Sequence, residues 1–347
     1  MSEQSIAIFG DGGFIGSNLA HHLRGHARYG CTLLDVDERK LRLRFGNGEY
    51  RYRSCDISRP DAPIDEIVAQ HDIVVHLAAH VHPQAFLDRP LDVVQLNFFD
   101  ALKVVDACVA HGRRLIHFST SEVYGKTGGS DAAFKEDDSD CILGPVANHR
   151  WIYSNAKQLL DRIIHAHGLK GDLEYTLIRP FNFVGPLMDK LLHDPDGDDN
   201  PRVLAHFLSA LFYGRPLKLV NGGHSRRCFT YIGDAIAALE LVLDNPEALR
   251  NQIVNVGNPA NETSIRALAS MMLELYRRDF DPKADSPLVD VPGEVFYGPG
   301  YEDCDRRLPD ISKLTALGWQ PQVGLEETFA RSMRYFHDNR EALEATL

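Results

Sequence analysis

Short apolar segments alternate with segments of helical periodicity through the first half of the chain. Residues 14–24 carry apolar side chains at helical spacing, and residues 93–111 and 152–167 repeat that spacing over longer stretches. Short apolar runs between them predict strands at residues 5–9, 31–34, 50–55, 73–77, 114–118 and 175–178. This alternation predicts an α/β fold, a doubly wound parallel sheet with helices on both faces.

The pattern changes after Pro180, where the regular alternation stops. Amphipathic segments at residues 264–276 and 325–337 predict surface helices of a smaller C-terminal α/β domain. Residues 188–201 form an acidic segment with aspartates at positions 194, 196 and 198. A calcium loop would carry Gly and Glu where Asp199 and Ala205 stand, so we interpret the segment as a solvated loop.

Composition narrows the class of protein. The chain has 347 residues, 44% of them hydrophobic, and a formal net charge of −12, which is ordinary for a globular protein of two domains. The acidic total argues against a nucleic-acid partner. The six cysteines show no CxxC spacing, which indicates neither a zinc site nor a redox pair. The first predicted strand has begun by position 6, at Ile6, which leaves no room for a signal peptide. No apolar run approaches the ~20 residues of a membrane helix. We therefore expect a cytoplasmic protein without membrane contact.

A glycine-rich turn joins the first predicted strand to the first helix. Gly10, Gly13 and Gly16 give the spacing GxxGxxG, which lets the backbone approach a pyrophosphate at a helix N-terminus. Asp35 ends the next strand about 20 residues on, where a carboxylate accepts ribose hydroxyls and repels a 2′-phosphate. The motif therefore predicts NAD rather than NADP. The alternative is that Asp35 only caps a turn.

Further residues are expected to complete the cofactor site, because they follow later strands of the predicted sheet. The full predicted set is Gly10, Gly13, Phe14, Ile15, Gly16, Asp35, Asp56, Ile57, Leu77, Ala78, Ala79, Asn97, Tyr153 and Lys157. His80 and His82 alternate beside it, but no third ligand has suitable spacing, so no metal site is predicted.

Tyr153 and Lys157 stand one helical turn apart on one face of a predicted helix. The ordinary pKa of a phenol is near 10, and a nearby ammonium together with the nicotinamide charge would lower the pKa of Tyr153. Tyrosine could then take the proton of a sugar hydroxyl, with Thr120 hydrogen-bonding the same hydroxyl. The alternative is an ordinary surface helix.

The glycine spacing, the Ser/Thr-rich strand end at residues 119–125 and the YxxxK motif together resemble the extended short-chain dehydrogenase family, mostly sugar-nucleotide epimerases, dehydratases and decarboxylases. The resemblance covers nearly the whole chain. It implies a homodimer packed through the helices at residues 93–111 and 152–167. It also implies two domains, an NAD-binding Rossmann domain at residues 1–180 with about 228–258 and a UDP-sugar-binding domain at residues 181–227 and 259–347.

Further motifs narrow the branch of that family. Ser121 stands where 4,6-dehydratases carry an acidic Asp, which argues against dehydration. The other motifs lie at residues 144–146, 150–154, 157–162, 179–186, 227–230 and 301–309. They resemble UDP-glucuronate decarboxylases, specifically the decarboxylase domain of the bifunctional polymyxin-resistance enzyme and the plant UDP-apiose/UDP-xylose synthases. The resemblance implies oxidation of C4 by Thr120, Tyr153 and Lys157, then loss of carbon dioxide from a β-keto acid.

The same resemblance implies the substrate contacts. Glu122 and Arg307 are placed near C5 of the sugar as catalytic residues, and either one is a candidate for returning a proton to C5. The implied substrate-binding residues are Ser121, Asn182, Arg202, Lys218, Arg227, Tyr301 and Arg307. Arginine suits this task because it grips phosphate or carboxylate oxygens bidentately.

Two other functions stay open at this point, a UDP-sugar 4-epimerase and a non-catalytic NAD-binding regulator of the same fold. The product of a decarboxylase also stays open. Release of UDP-4-keto-pentose with NADH, reduction to UDP-xylose and ring contraction to UDP-apiose are all compatible with the motifs. Ser121 differs from the cysteine of the apiose synthases, whereas Cys141 and residues 201–204 resemble them.

Overall fold

Strands and helices alternate along the residues that the computed structural model describes, which are 3–46, 48–130, 132–191, 202–299 and 301–346. The strands are β1 (Gln4–Phe9), β2 (Tyr29–Asp35), β3 (Tyr52–Ser54), β4 (Ile73–His76), β5 (Arg114–Phe118), β6 (Tyr175–Pro180), β7 (Phe183–Val184), β8 (Leu217–Val220), β9 (Arg226–Cys228), β10 (Thr230–Tyr231), β11 (Gln252–Val256), β12 (Glu262–Ser264), β13 (Leu288–Val291) and β14 (Arg306–Arg307).

The α-helices are α1 (Phe14–Leu23), α2 (Arg39–Phe45), α3 (Ile64–Ala69), α4 (Pro83–Asp88), α5 (Pro90–Val94), α6 (Ala101–His111), α7 (Ile152–Lys170), α8 (Val203–Phe212), α9 (Ile232–Asp244), α10 (Ile265–Asp279), α11 (Gly293–Phe296), α12 (Ser312–Ala316), α13 (Leu325–Asp338) and α14 (Arg340–Thr346). A π-helical segment spans Gln95–Asp100. Short 3₁₀ turns lie at Ser121–Tyr124, His149–Trp151, Asn221–Gly223 and Pro259–Asn261.

Seven parallel strands form the main sheet in the order β3-β2-β1-β4-β5-β6-β11. The chain reverses its direction of progress across the sheet between β1 and β4, and a crevice forms at such a point beyond the carboxyl ends of the strands. The predicted doubly wound α/β fold of Rossmann type is therefore confirmed. Three small sheets lie outside the main sheet, pairing β7 with β10, β8 with β13, and β9 with both β12 and β14.

Strand β1 shows why helices cover both faces of the sheet. Its residues Ile6 and Ile8 belong to a buried apolar cluster that includes side chains of α1 and α9. Ala7 and Phe9, which point to the opposite face, belong to a second cluster with side chains of α6 and α7. Because alternate residues of a strand face opposite sides, an uninterrupted apolar run requires a helical layer on each side.

The predicted single helix at residues 93–111 is wrong in one respect. Helix α5 ends at Val94, and a π-helical turn precedes α6. The wider turn brings residues five apart together, so Gln95 donates to the buried Asp100 at 3.1 Å. The spacing of apolar residues does not reveal such a turn, because the side chains that the turn brings into the interior, such as Asp100, are polar.

Residues 192–201, which include most of the predicted acidic loop, lie outside the described part of the chain. The expectation that this loop binds no calcium therefore stays a prediction. Among the described residues, no helix combines the length and apolarity needed to cross a membrane.

Candidate active site

A cleft of about 980 Å³ opens at the carboxyl ends of the main sheet. Residues at the ends of β1, β2, β4, β5 and β6 form one wall, and side chains from α8, β8, α11 and residues 301–307 form the other. Every residue predicted from sequence for cofactor or substrate lines this cleft, with the exception of Asn97. One continuous space therefore contains both sets.

The turn at residues 10–16, here called the phosphate loop, is packed too closely for side chains. Gly10 has φ +89°, and a Cβ on it would lie 2.4 Å from the backbone nitrogen of Ala78. A Cβ on Gly16 would lie 2.4 Å from the Cα of Asp11. Gly12, which the motif spacing does not single out, is as restricted, because its Cβ would lie 1.8 Å from the carbonyl oxygen of Asp37. The loop fits the close backbone approach that a dinucleotide pyrophosphate needs.

The carboxylate of Asp35 is fixed at the edge of the phosphate loop. One oxygen accepts the backbone N–H of Gly12 at 2.9 Å, and the other accepts those of Val36 and Asp37 at 2.7 and 3.1 Å. Asp35 thus caps the turn and also lines the cleft. The two sequence interpretations of Asp35 are compatible, because a carboxylate oxygen has more than one acceptor direction.

Asp11 lies inside the phosphate loop as a fully buried carboxyl group. Neither of its oxygens has a hydrogen-bond partner among the described residues. Burial, followed by the charge of Asp35, raises the pKa of Asp11 to about 8. At neutral pH the group is therefore mostly a neutral acid beneath the site where a pyrophosphate would bind.

Asn97 does not line the cleft, contrary to its predicted place in the cofactor set. It is fully buried, accepts the backbone N–H of His80 at 2.8 Å and donates to the carbonyl oxygen of His80 at 2.9 Å. The π-helical turn carries Asn97. Its role in the fold is to support the segment after β4 that forms the cleft wall.

Tyr153 and Lys157 are both buried on α7, at the floor of the cleft. The ring of Tyr153 stacks on Phe86 with centroids 4.6 Å apart, and the neighbouring side chain of Thr120 acts to lower the pKa of the tyrosine hydroxyl. The ammonium of Lys157 donates to the carbonyl oxygen of Phe118 at 2.8 Å. The pair and Thr120 thus share one edge of the cleft, as the sequence predicts.

Burial governs the acid–base state of this pair in the protein alone. Burial and then the charge of Glu122 raise the pKa of Tyr153 above its ordinary value, so the predicted lowering, which includes the nicotinamide charge, stays a prediction. Burial lowers the pKa of Lys157 to about 8, although Asp161 opposes the change. The physical reason is that the protein removes both groups from water, which favours their neutral forms.

Five ionisable side chains meet in the other half of the cleft and are here called the arginine–carboxylate cluster: Glu122, Arg150, Arg227, Asp303 and Arg307. Glu122 accepts from Arg150 at 2.5 Å and from Arg307 at 3.0 Å. Asp303 accepts from Arg227 at 2.5 Å and from Arg307 at 3.3 Å. All three arginines are buried, and all five residues line the cleft.

Charge in this cluster is unbalanced. Three guanidinium groups face two carboxylates, which leaves one net positive charge in a buried place. The Nε atoms of Arg150 and Arg307 are buried and have no hydrogen-bond partner among the described residues. Burial would raise the pKa of Glu122, but Arg150 and Arg307 outweigh that effect and hold it at about 2. The cluster is therefore complementary to one more anionic group.

Sequence reasoning missed Arg150 and Asp303 as site residues. Both lie inside motifs that were already recognised, Arg150 three positions before Tyr153 and Asp303 four before Arg307. A charged residue inside a recognised motif was the available signal. What the sequence could not supply was the approach of the two segments to each other.

The remaining predicted substrate residues have different surroundings. Arg202 already binds Asp189 through two nitrogens, at 2.6 and 3.1 Å, so it is less available to a diphosphate than predicted. The ring of Tyr301 stacks on Tyr297 at 4.1 Å. Asn182 has φ +40° and donates to the carbonyl oxygen of Cys228. Ser121 and Lys218 also line the cleft.

Comparisons with known proteins identify the family. The model of the NAD dependent epimerase/dehydratase family matches residues 6–257. The chain is 40% identical to UDP-D-apiose/UDP-D-xylose synthase of Oryza sativa subsp. japonica, over 98% of this chain and 91% of that protein. It is 41% identical to UDP-D-apiose/UDP-D-xylose synthase 1 of Arabidopsis thaliana, over 96% and 91%.

Among solved structures, the PbgP3 protein from Burkholderia pseudomallei is similar with a TM-score of 0.86 and 30% identity, covering 99% of each chain. The predicted resemblance and the predicted cofactor are confirmed. The phosphate loop and Asp35 are the parts of the cleft that fit that cofactor. The chain belongs to the NAD dependent epimerase/dehydratase family.

Proposed function

We propose that this protein is an NAD-dependent UDP-glucuronate decarboxylase that yields UDP-4-keto-pentose, UDP-xylose or both. The observation that carries the proposal is the net positive charge of the buried arginine–carboxylate cluster, in the same cleft as Tyr153 and Thr120. A sugar acid brings a further negative charge on the sugar itself, whereas a UDP-hexose with an uncharged sugar does not. The names of the relatives from Oryza and Arabidopsis, which specify UDP-xylose synthesis, agree with it.

The division of the cleft follows from its lining. We assign residues 1–180 and about 228–258 to the NAD-binding part, because they supply the phosphate loop and Asp35. We assign residues 181–227 and 259–347 to the UDP-sugar part. The aromatic side chains of Phe296, Tyr297 and Tyr301 suit a uracil or ribose face, and Lys218 suits the diphosphate.

Oxidation of the sugar at C4 uses the floor of the cleft. NAD held by the phosphate loop and Asp35 would supply the hydride acceptor and a positive charge that stabilises a phenolate. The phenolate of Tyr153 and the hydroxyl of Thr120 bind the C4 hydroxyl, and the phenolate takes its proton and becomes a hydroxyl as the C4 hydride leaves and the ketone forms. The raised pKa of Tyr153 implies that it loses its own proton only when the cleft is complete. The ammonium group of Lys157, one helical turn away, carries a positive charge that stabilises the phenolate.

Loss of carbon dioxide requires orientation more than acid–base strength. The C4 ketone is β to the carboxylate on C5, so when the C5–C6 bond breaks, its electron pair forms an enolate between C4 and C5. Tyr153 and Thr120 donate hydrogen bonds to the enolate oxygen. Arg150 and Arg307 hold the carboxylate before it leaves. A proton then returns to C5.

The low pKa of Glu122 bears on the source of that proton. At neutral pH Glu122 begins the cycle as a carboxylate bound by two guanidinium groups, so it has no proton of its own to give. It can act as a carrier only after it receives a proton during the reaction. Otherwise its role is to position Arg150 and Arg307.

One incubation tests the proposal. Purified protein receives NAD and UDP-glucuronate labelled with ¹³C at C6, and labelled carbon dioxide, NADH absorbance and the sugar product by NMR are followed together. Carbon dioxide with equal NADH means release of the keto-pentose, and carbon dioxide without net NADH means internal reduction. UDP-galacturonate without carbon dioxide would identify a 4-epimerase. Cofactor binding without any turnover would identify a non-catalytic binder.

A homodimer is part of the proposal. Leu91 on α5, Phe99 in the π-helical turn and Leu159 on α7 expose 78%, 53% and 48% of their surface, although all three are large and apolar. Phe99 and Leu159 lie in the two helical regions, residues 93–111 and 152–167, that the family resemblance assigns to the dimer contact, and Leu91 lies just before the first of them. Light scattering on the wild type and on Leu91→Asp and Leu159→Asp variants tests this, and we expect a dimer that both variants weaken.

We also place the reaction in the cytoplasm. All six cysteines are free, and four of them are buried as thiols. This usage is typical of a reducing compartment. Cell fractionation with an antibody to the chain tests the location, and a periplasmic or secreted fraction would contradict it.

A further inference from the structure

Two histidines and a glutamate converge on one side of the molecule, outside the cleft. His22 lies on α1, His26 follows the turn that ends α1, and Glu240 lies on α9. The Nε2 atom of His22 is 2.8 Å from one carboxylate oxygen of Glu240, and the Nδ1 atom of His26 is 3.5 Å from the other. The two imidazole rings lie with centroids 5.2 Å apart.

These distances match the span of a metal coordination shell. One ligand atom from each residue lies within 4.8 Å of the other two. Zinc binds imidazole nitrogen and carboxylate oxygen at about 2.0–2.2 Å, so three tetrahedral ligands lie a little over 3 Å apart. Binding would require the three side chains to adjust from the observed spacing to that separation.

Access and placement also suit a bound cation. The side chains of His22, His26 and Glu240 are 37%, 34% and 30% exposed, so a hydrated ion reaches them without opening the core. None of the three lines the catalytic cleft. The next ion pair along the same α1–α9 contact, between Arg28 and Asp244, is separate and leaves Glu240 to the histidines.

We propose that His22, His26 and Glu240 form a three-ligand site for Zn²⁺ or a similar divalent cation, which joins the end of α1 to α9. A water molecule completes the fourth position. The site does not depend on the proposed function, because it touches neither the cofactor nor the sugar part of the cleft. Since the cation binds the folded chain, it raises the temperature of unfolding.

The test uses full-length protein stripped with EDTA and then dialysed. Zinc chloride is titrated by calorimetry into the wild type and into His26→Gln and Glu240→Gln variants. We expect one site in the wild type that each variant weakens at least tenfold. His21→Gln is the matched control, because His21 is the neighbour of His22 but packs against Phe45 and lies outside the cluster. This control keeps the wild-type affinity.

X-ray absorption at the zinc edge identifies the ligands independently. We expect a shell of nitrogen and oxygen at about 2.0 Å without sulfur. A sulfur shell near 2.3 Å would place the ion on a cysteine and overturn the proposal. Zinc binding that is unchanged in both His26→Gln and Glu240→Gln, or no zinc binding by the wild type, would overturn it as well.

Discussion

The phosphate loop and the arginine–carboxylate cluster line one cleft, and they suit anionic groups by different physical means. The loop is one continuous run of residues 10–16, and it works by steric clearance and backbone N–H groups. The cluster gathers five charged side chains from separate parts of the chain, and it works by an excess of buried positive charge. A local motif therefore describes the loop almost completely, whereas only the folded chain assembles the cluster.

Tyr153 lies between these two regions, and its replacement has the largest expected effect. Tyr153→Phe removes the oxygen that takes the C4 proton, so kcat falls by roughly a thousandfold. Binding of UDP-glucuronate, measured by calorimetry, stays near that of the wild type, because the cluster is intact. Turnover close to normal would exclude Tyr153 as the base.

Removing one cation from the cluster tests whether charge balance matters. Arg307→Ala removes one guanidinium partner from Glu122 and one from Asp303, and it cancels the net positive charge. We expect release of carbon dioxide to fall by about a hundredfold or more. Arg306→Ala is the control, since Arg306 binds Glu262 and does not line the cleft. Equal rates for the two variants would make Arg307 structural.

Adding one carbon to the phosphate loop tests whether the loop depends on steric clearance. Gly12→Ala places a Cβ against the carbonyl oxygen of Asp37, and overpacking of this kind costs about 1–3 kcal/mol. We expect NAD affinity to fall by roughly tenfold, with UDP binding unchanged, in fluorescence titrations. Gly324→Ala, where a Cβ meets open space, serves as the control. Normal NAD binding by Gly12→Ala would show that the loop can relax.

The smallest expected effect on activity comes from the one ionisable side chain buried in the loop, which acts on stability instead. The pKa of Asp11 is raised to about 8 in the folded chain and is near 3.8 when unfolded. Between pH 4 and 8 the folded state holds a proton that the unfolded state has lost, so the unfolding free energy falls as pH rises, by up to about 1.4 kcal/mol per unit.

Asp11→Asn removes that slope and keeps the shape of the side chain. Urea denaturation at several pH values compares the unfolding free energies of the two proteins. We expect the variant to gain the most stability relative to the wild type at pH 8. NAD affinity of the wild type also falls above pH 8, since a carboxylate then forms beneath the pyrophosphate. If the unfolding free energies of the two proteins changed in parallel with pH, Asp11 would be ionised throughout or reached by water.

The sequence predicted what short segments determine by themselves. The glycine spacing and the Tyr153–Lys157 pair depend on residues one turn or one loop apart, and both were found. Arg150 and Asp303 were missed because their meeting depends on how segments 150 residues apart pack together. The effect of burial on the pKa values of Tyr153 and Lys157 could not be predicted from the sequence, since burial is a property of the whole fold.

The stack between Phe86 and Tyr153 links the two regions mechanically. The same Phe86 ring lies 5.5 Å from the guanidinium of Arg150, so one aromatic ring contacts both Tyr153 and a member of the cluster. Phe86 is carried by the short helix α4, directly after the segment that Asn97 fastens. A displacement of α4 would therefore change the support of Tyr153 and of Arg150 at the same time. We expect a substitution in α4 to affect proposed proton transfer and proposed anion binding together.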